Sequence, residues 1–151
     1  MHEVKESEIV PYTSGQMFEL IADVDRYQEF LPWCEESRVV SRENNTVVAE
    51  FKAKLGPAGV YFTTRNEFHP SERTDIHLLK GPFEVFEGWW RFSSESESSS
   101  KIEFRLRFKT AHEHLGSIFD PLFQEATDKI IGAFKKRAQT VYGGTTSPPR
   151  S

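Results

Sequence analysis

From Cys34 to about Thr110 the apolar residues of this chain recur at every second position, whereas between Thr13 and Leu31 and again beyond Thr110 they recur at every third or fourth. A period of two belongs to strands and a period near 3.6 to helices. The cleanest strand places Ile102, Phe104, Leu106 and Phe108 on one face and Lys101, Glu103, Arg105, Arg107 and Lys109 on the other. Val47, Ala49, Phe51, Ala53 and Leu55 alternate in the same way with Val48, Glu50, Lys52 and Lys54. A sheet with one apolar face has to be covered. The only large apolar surface left to cover it is the segment after Thr110.

That segment carries Leu115, Ile118, Phe119, Leu122, Phe123, Ala126, Ile130, Phe134, Ala138 and Val141 at helical spacing, which predicts one long amphipathic helix. Asp120-Pro121 interrupts it, either as an N-cap with proline at the first helical position or as a kink. From Pro121 to Tyr142, 22 residues span about 33 Å. Upstream, Glu3 to Val10 alternates and ends at Pro11, a first strand. Thr13 or Ser14 can cap a short helix through Met17, Phe18, Leu20 and Ile21, and a second short helix from Arg26 is stopped by Leu31-Pro32. Asn44-Asn45 signals a hairpin. Further breaks stand at Leu55-Gly56-Pro57, His69 to Glu72, Gly81-Pro82 and the serine-rich stretch Ser93 to Ser100. The predicted order is strand, helix pair, about six antiparallel strands, then the helix lying across the sheet. Residues 1–142 form one domain in this reading, and 143–151 a disordered tail.

Composition bounds the function. The 151 residues carry 28% charge and a net charge of −4 with pI about 5.8, without the overall basic footprint of a nucleic-acid binder. The one cysteine, Cys34, cannot form an intrachain disulfide, so nothing requires an oxidising compartment. No window is long and apolar enough to span a bilayer, and Met1 to Glu6 has no leader character. The expectation is a cytoplasmic protein, at most peripheral to the inner membrane.

Several short segments point further: Val10-Pro11-Tyr12-Thr13 with Met17-Phe18-Glu19-Leu20, Asp23-Val24-Asp25-Arg26-Tyr27, Phe30-Leu31-Pro32-Trp33-Cys34, Phe62-Thr63-Thr64-Arg65-Asn66, Gly81-Pro82-Phe83, Gly88-Trp89-Trp90-Arg91-Phe92, and Phe134 with Arg137-Ala138. In this order and spacing the chain resembles the START-like, helix-grip (SRPBCC) superfamily over residues 3–142. Within it the resemblance is to the polyketide-cyclase-like branch that holds coenzyme Q-binding proteins and the bacterial ribosome association toxins (RatA). The resemblance implies an α+β fold: a curved antiparallel sheet of six to seven strands wrapped around a long C-terminal helix, with two short helices after the first strand and an apolar cavity between sheet and helix. It implies no chemistry, because one fold hosts carriers, cyclases and partner-binding proteins.

If the apolar face of each strand meets the helix, the cavity is lined by Val47, Phe51, Phe62, Ile76, Leu78, Phe86, Trp90, Phe104 and Phe108 from the sheet, and by Leu122, Phe123, Ile130 and Phe134 from the helix. Thr64 and Asn66 share the inward parity and are the polar groups available to orient a quinone head. The competing reading is that these side chains simply fill the core. Phe30, Leu31, Pro32 and Trp33 fall where the mouth should open, as a cover or a partner-facing patch. Trp89 has outward parity with Arg91, and if strands 83–92 and 101–109 pair, Arg105, Arg107 and Lys109 join them in a basic-aromatic patch fit for phosphates or an anionic membrane. The alternative there is a solvated face on which Glu87 and Glu103 neutralise the cations and Arg91 stacks on Trp89.

No catalytic residues are assigned. Cys34 reads as a small buried hydrophobe, His112 and His114 lack a third metal ligand, and no carboxylate pair, phosphate loop or nucleophile triad is visible. No cofactor is required. The resemblance then implies a non-enzymatic binder of ubiquinone or another polyprenyl lipid, supporting respiration. A partner of the large ribosomal subunit that blocks subunit association, the toxin of a toxin-antitoxin pair, is the alternative. A cyclase or aromatase comes third, and DNA is not an expected partner.

Overall fold

Seven strands make one antiparallel sheet in the computed structural model, which describes residues 1–143, Ala58 by its backbone alone. They are β1 (His2–Val10), β2 (Cys34–Glu43), β3 (Thr46–Leu55), β4 (Ala58–His69), β5 (Arg73–Lys80), β6 (Phe83–Ser94) and β7 (Ser100–Thr110). Their spatial order is β1-β7-β6-β5-β4-β3-β2. Successive hairpins lay down β2 to β7, and β1 then pairs with β7, from His2 opposite Phe108 to Val10 opposite Ser100. The turns fall where Gly, Pro and Asn predicted them, with Asn44 at φ 56° in the β2–β3 hairpin. The fold is the α+β helix-grip architecture. The predicted tail lies outside the described residues except for Gly143.

Between β1 and β2 runs α1 (Ser14–Ala22), and Thr13 rather than Ser14 caps it. The Thr13 hydroxyl accepts from the Gln16 amide at 3.1 Å, and the Gln16 side chain accepts from the Thr13 amide at 2.9 Å. This reciprocal box satisfies two amides that a helix start leaves unpaired. The second short helix is a 3-10 helix, Val24–Glu29, anchored where Asp25 accepts from the Val39 amide at 2.8 Å.

The single C-terminal helix of the sequence reading is two helices, α2 (Glu113–Thr127) and α3 (Ile130–Tyr142). The interruption falls at Asp128-Lys129 and not at Asp120-Pro121, and Pro121 lies inside α2. Asp120 is no cap: its side chain is buried and accepts from the Thr110 hydroxyl at 3.3 Å. Two contacts explain the break. The Thr127 hydroxyl bonds back to the Phe123 carbonyl at 2.8 Å, a bond that competes with the helical ladder. Glu6 of β1 reaches across to accept from the Ile131 amide at 3.2 Å, occupying a donor that the start of α3 would otherwise leave open. Burial raises the Glu6 carboxyl above its ordinary range.

The core fills the space between the inner sheet face and the helices, with Phe119, Phe123, Ile130, Ile131, Phe134 and Ala138 buried against Val4, Ala49, Phe62, Phe104 and Phe108. Gly88 lets β6 and β7 approach closely. A Cβ there would stand 2.7 Å from the Arg105 carbonyl oxygen and 3.2 Å from Leu106 Cδ1. Gly88→Val should therefore destabilise the chain by about 1–3 kcal/mol through overpacking, read as a fall in the urea midpoint. An unchanged midpoint would show that the β6–β7 pair can spread without cost.

Candidate functional site

A cavity of about 60 Å³ lies where the inner sheet face meets the two C-terminal helices. Strand parity brings Phe51, Phe62, Thr64, Asn66, Ile76, Phe86, Trp90 and Phe104 to its wall, and helical period brings Phe123, Ile130 and Phe134. Tyr27, Trp33, Leu106 and Thr127 also line it and were absent from the sequence-derived wall. Leu106 shares the parity of Phe104 and was legible there. Tyr27 and Trp33 come from segments without a strand period, and their only signal was aromatic side chains in a short helix and loop.

Four predicted wall residues lie elsewhere. Leu122 is 37% exposed and extends toward the β3–β4 turn, within 3.8 Å of where a Cβ on Gly56 would stand. It sits outward because Phe119 and Phe123 take the inward positions of α2. Val47 and Phe108 are fully buried in the core away from the cavity. Phe108 is packed between the His2 ring at 5.2 Å and Phe123 at 5.1 Å. Leu78 is half-buried at the core margin.

The wall is aromatic and tightly meshed. Phe134 meets Tyr27 at 5.4 Å, Phe30 at 5.1 Å and Trp90 at 5.3 Å, each edge to face, and Phe51 stacks on Phe62 at 5.1 Å. Such geometries suit the ring quadrupoles. Within this wall Thr64 donates to Asn66 Oδ1 at 3.0 Å, and both side chains are buried. The Tyr27 hydroxyl donates to the Ile21 carbonyl, and burial pushes its ionisation far above the ordinary range. At about 60 Å³ the cavity has room for a few waters at most, well short of the ~300–1,000 Å³ of small-molecule pockets. The side chains themselves fill most of the space.

The predicted mouth segment closes it. Leu31 and Trp33 are buried, Phe30 is half-buried and Pro32 is exposed. Trp33 packs edge to face on Phe123 at 5.3 Å, while the Arg137 guanidinium lies 5.0 Å from the Phe30 ring and 2.8 Å from Glu29. Arg26, and after it Arg137, hold the Glu29 carboxyl below its ordinary value. The segment is thus fastened to both C-terminal helices.

Cys34 follows directly. Its thiol is raised to about 11 by burial and contacts the Glu36 carbonyl at 3.4 Å. Thiolate, the reactive form, is scarce at pH 8. Iodoacetamide should leave Cys34 unmodified in the folded chain at pH 8 and label it on addition of denaturant, as read by intact mass. Rapid labelling of the native chain would contradict the burial.

On the outer face Trp89 stands opposite Arg105 with the Arg91 guanidinium 4.2 Å from its ring. Arg105 pairs with Glu3 at 2.5 Å, Arg107 with Glu87 at 2.8 Å and Lys109 with Glu84 at 3.4 Å. The patch is a mixed-charge lattice and not a free cationic surface. Glu3 and Glu84 share this work with Glu87, whereas the sequence suggested Glu103. Among the described residues no three His, Cys, Asp or Glu side chains converge as metal ligands, and no helix is long and apolar enough to cross a membrane.

Residues 10–135 match the family described as polyketide cyclase / dehydrase and lipid transport. The chain is 35% identical over 140 residues to the ribosome association toxin RatA of Pseudomonas aeruginosa, covering 93% of this chain and 97% of that protein. It is 29% identical over 153 residues to the mitochondrial coenzyme Q-binding protein COQ10 homolog B of Xenopus laevis, covering 97% of this chain and 62% of that one. A START superfamily protein from Mycobacterium smegmatis superposes with a TM-score of 0.77 at 16% identity, over 93% of this chain and 99% of the other. At that identity the last likeness shows the fold alone.

Proposed function

From the premise that this chain belongs to the polyketide cyclase / dehydrase and lipid transport family, we propose that it is a non-enzymatic binder of a polyprenyl quinone such as ubiquinone, or of a related lipid. The observation that carries this reading is an aromatic cavity whose wall holds one buried polar pair, Thr64 and Asn66. Apolar lining with a few placed polar groups is the general form of a small-molecule site. The coenzyme Q-binding relative adds weight from outside the geometry. In this reading the chain works in the cytoplasm, at or near the inner membrane, as a carrier that supports respiration.

A ligand of that size requires the cavity to open. The contacts that must yield are the Glu29–Arg137 pair and the Phe30–Phe134 edge, in which the half-buried Phe30 meets the buried Phe134. An exposed ion pair contributes at most about 1 kcal/mol and an aromatic edge about 0.5–1.5 kcal/mol beyond its buried area, costs that the ligand's own burial has to offset. Organic extraction of the protein purified from a ubiquinone-producing host, followed by mass spectrometry, should recover ubiquinone or another polyprenyl lipid near stoichiometry. A matched extract no richer than that of an unrelated soluble protein would overturn the reading.

A second reading draws on the bacterial relative: the outer face around Trp89 docks on the large ribosomal subunit and opposes subunit association. Arg105→Glu with Arg107→Glu breaks the Glu3 and Glu87 pairs and reverses the field there. On this reading the double variant loses co-sedimentation with large subunits and keeps its lipid. A cyclase reading has the family description and a fold-level likeness to aromatase/cyclases behind it, but the cavity wall holds no acid-base pair to move a proton.

A further inference from the structure

Of the polar groups on the cavity wall, three have spent their hydrogens on the protein itself. The Thr64 hydroxyl donates to Asn66 Oδ1 at 3.0 Å, the Thr127 hydroxyl to the Phe123 carbonyl at 2.8 Å, and the Tyr27 hydroxyl to the Ile21 carbonyl. Trp33 differs. It lines the cavity and is 6% exposed, and its indole Nε1 is buried with no hydrogen-bond acceptor among the described residues. An unsatisfied buried donor is costly, so its persistence asks for a partner.

We infer that the Trp33 indole N–H is the donor that receives a carbonyl oxygen of the ligand. The site therefore selects an apolar molecule with an accepting oxygen at one end over a hydrocarbon of the same shape. The inference rests on the reading of this cavity as a binding site. It also gives the mouth segment two roles, since the residue that packs on Phe123 as a cover is the one that senses the head group.

The test compares two probes, a short-chain ubiquinone and an alkylbenzene of matching length, on the full chain and on Trp33→Phe, which keeps a ring and removes the N–H. Trp33→Phe should weaken the ubiquinone about tenfold and the alkylbenzene less than twofold. An equal loss for both probes, or for neither, overturns the inference. Wild-type protein that binds neither probe overturns instead the reading of the cavity as a ligand site. A second readout does not depend on the variant folding. The chain has three tryptophans, and in 15N-labelled wild type the Trp33 indole resonance should move downfield on adding the ubiquinone and hold still on adding the alkylbenzene. A Trp33 resonance that ignores bound ubiquinone means that a buried water satisfies the indole, and overturns the inference.

Discussion

Phe134→Ala is expected to lower the unfolding free energy by about 4 kcal/mol, within the range for deleting a buried aromatic ring. Phe134 is 1% exposed and its ring joins parts of the chain far apart in sequence: Tyr27 and Phe30 of the mouth region and Trp90 of β6. Removing it costs the transfer of the ring and leaves a void beside the existing cavity, because Tyr27 and Trp90 are held by other neighbours and cannot collapse inward. Tyr27 is tied to the Ile21 carbonyl, and Trp90 packs on Phe104 at 4.5 Å. For a chain of this length the melting temperature should drop by roughly 10 °C. A change under about 1 kcal/mol would show that the wall relaxes freely, and with it the argument for a tightly meshed wall would fall.

Ile76→Phe should have the opposite signature. Ile76 lies on the wall between Asn66 of β4 and Gly88 of β6, and Gly88 presents no side chain against it. A phenyl ring at this position occupies the 60 Å³ that remains without orphaning a polar group. Filling a cavity in this way commonly adds about 0.5–2 kcal/mol of stability. Quinone loading, by contrast, should fall at least tenfold, because the ring stands beside the Asn66 amide. Equilibrium unfolding and lipid extraction on the same preparation measure both. A stabilised variant that still carries its full lipid would place the ligand elsewhere on the molecule.

The strands and their faces were legible because side-chain direction in a strand depends only on parity. Thus parity alone puts Phe51, Phe62, Thr64, Asn66 and Trp90 on one surface. The break between α2 and α3 was not legible. It depends on Glu6, which meets Ile131 from 125 residues away, and on a Thr127 bond that many helices tolerate. The same distance hid the neutralised outer face: Arg105 finds Glu3 across 102 residues, a pairing created when β1 returns to the edge of β7. Tyr27 and Trp33 escaped the wall because a 3-10 turn and a loop have no period from which to read a direction.

The sequence by itself determined the order of the elements, their turns, the apolar sheet face and the family to which the chain belongs, since all of these follow from local periodicity and short motifs. Only the tertiary structure decided how much space those faces enclose, which donors inside are left without partners, and which surface charges are cancelled. Cavity volume is a small difference between the large volumes of facing side chains, and the partners of an indole or a guanidinium are set by chain segments brought together from opposite ends. Neither quantity has a local signature, because both come into existence only when the sheet closes around the helices.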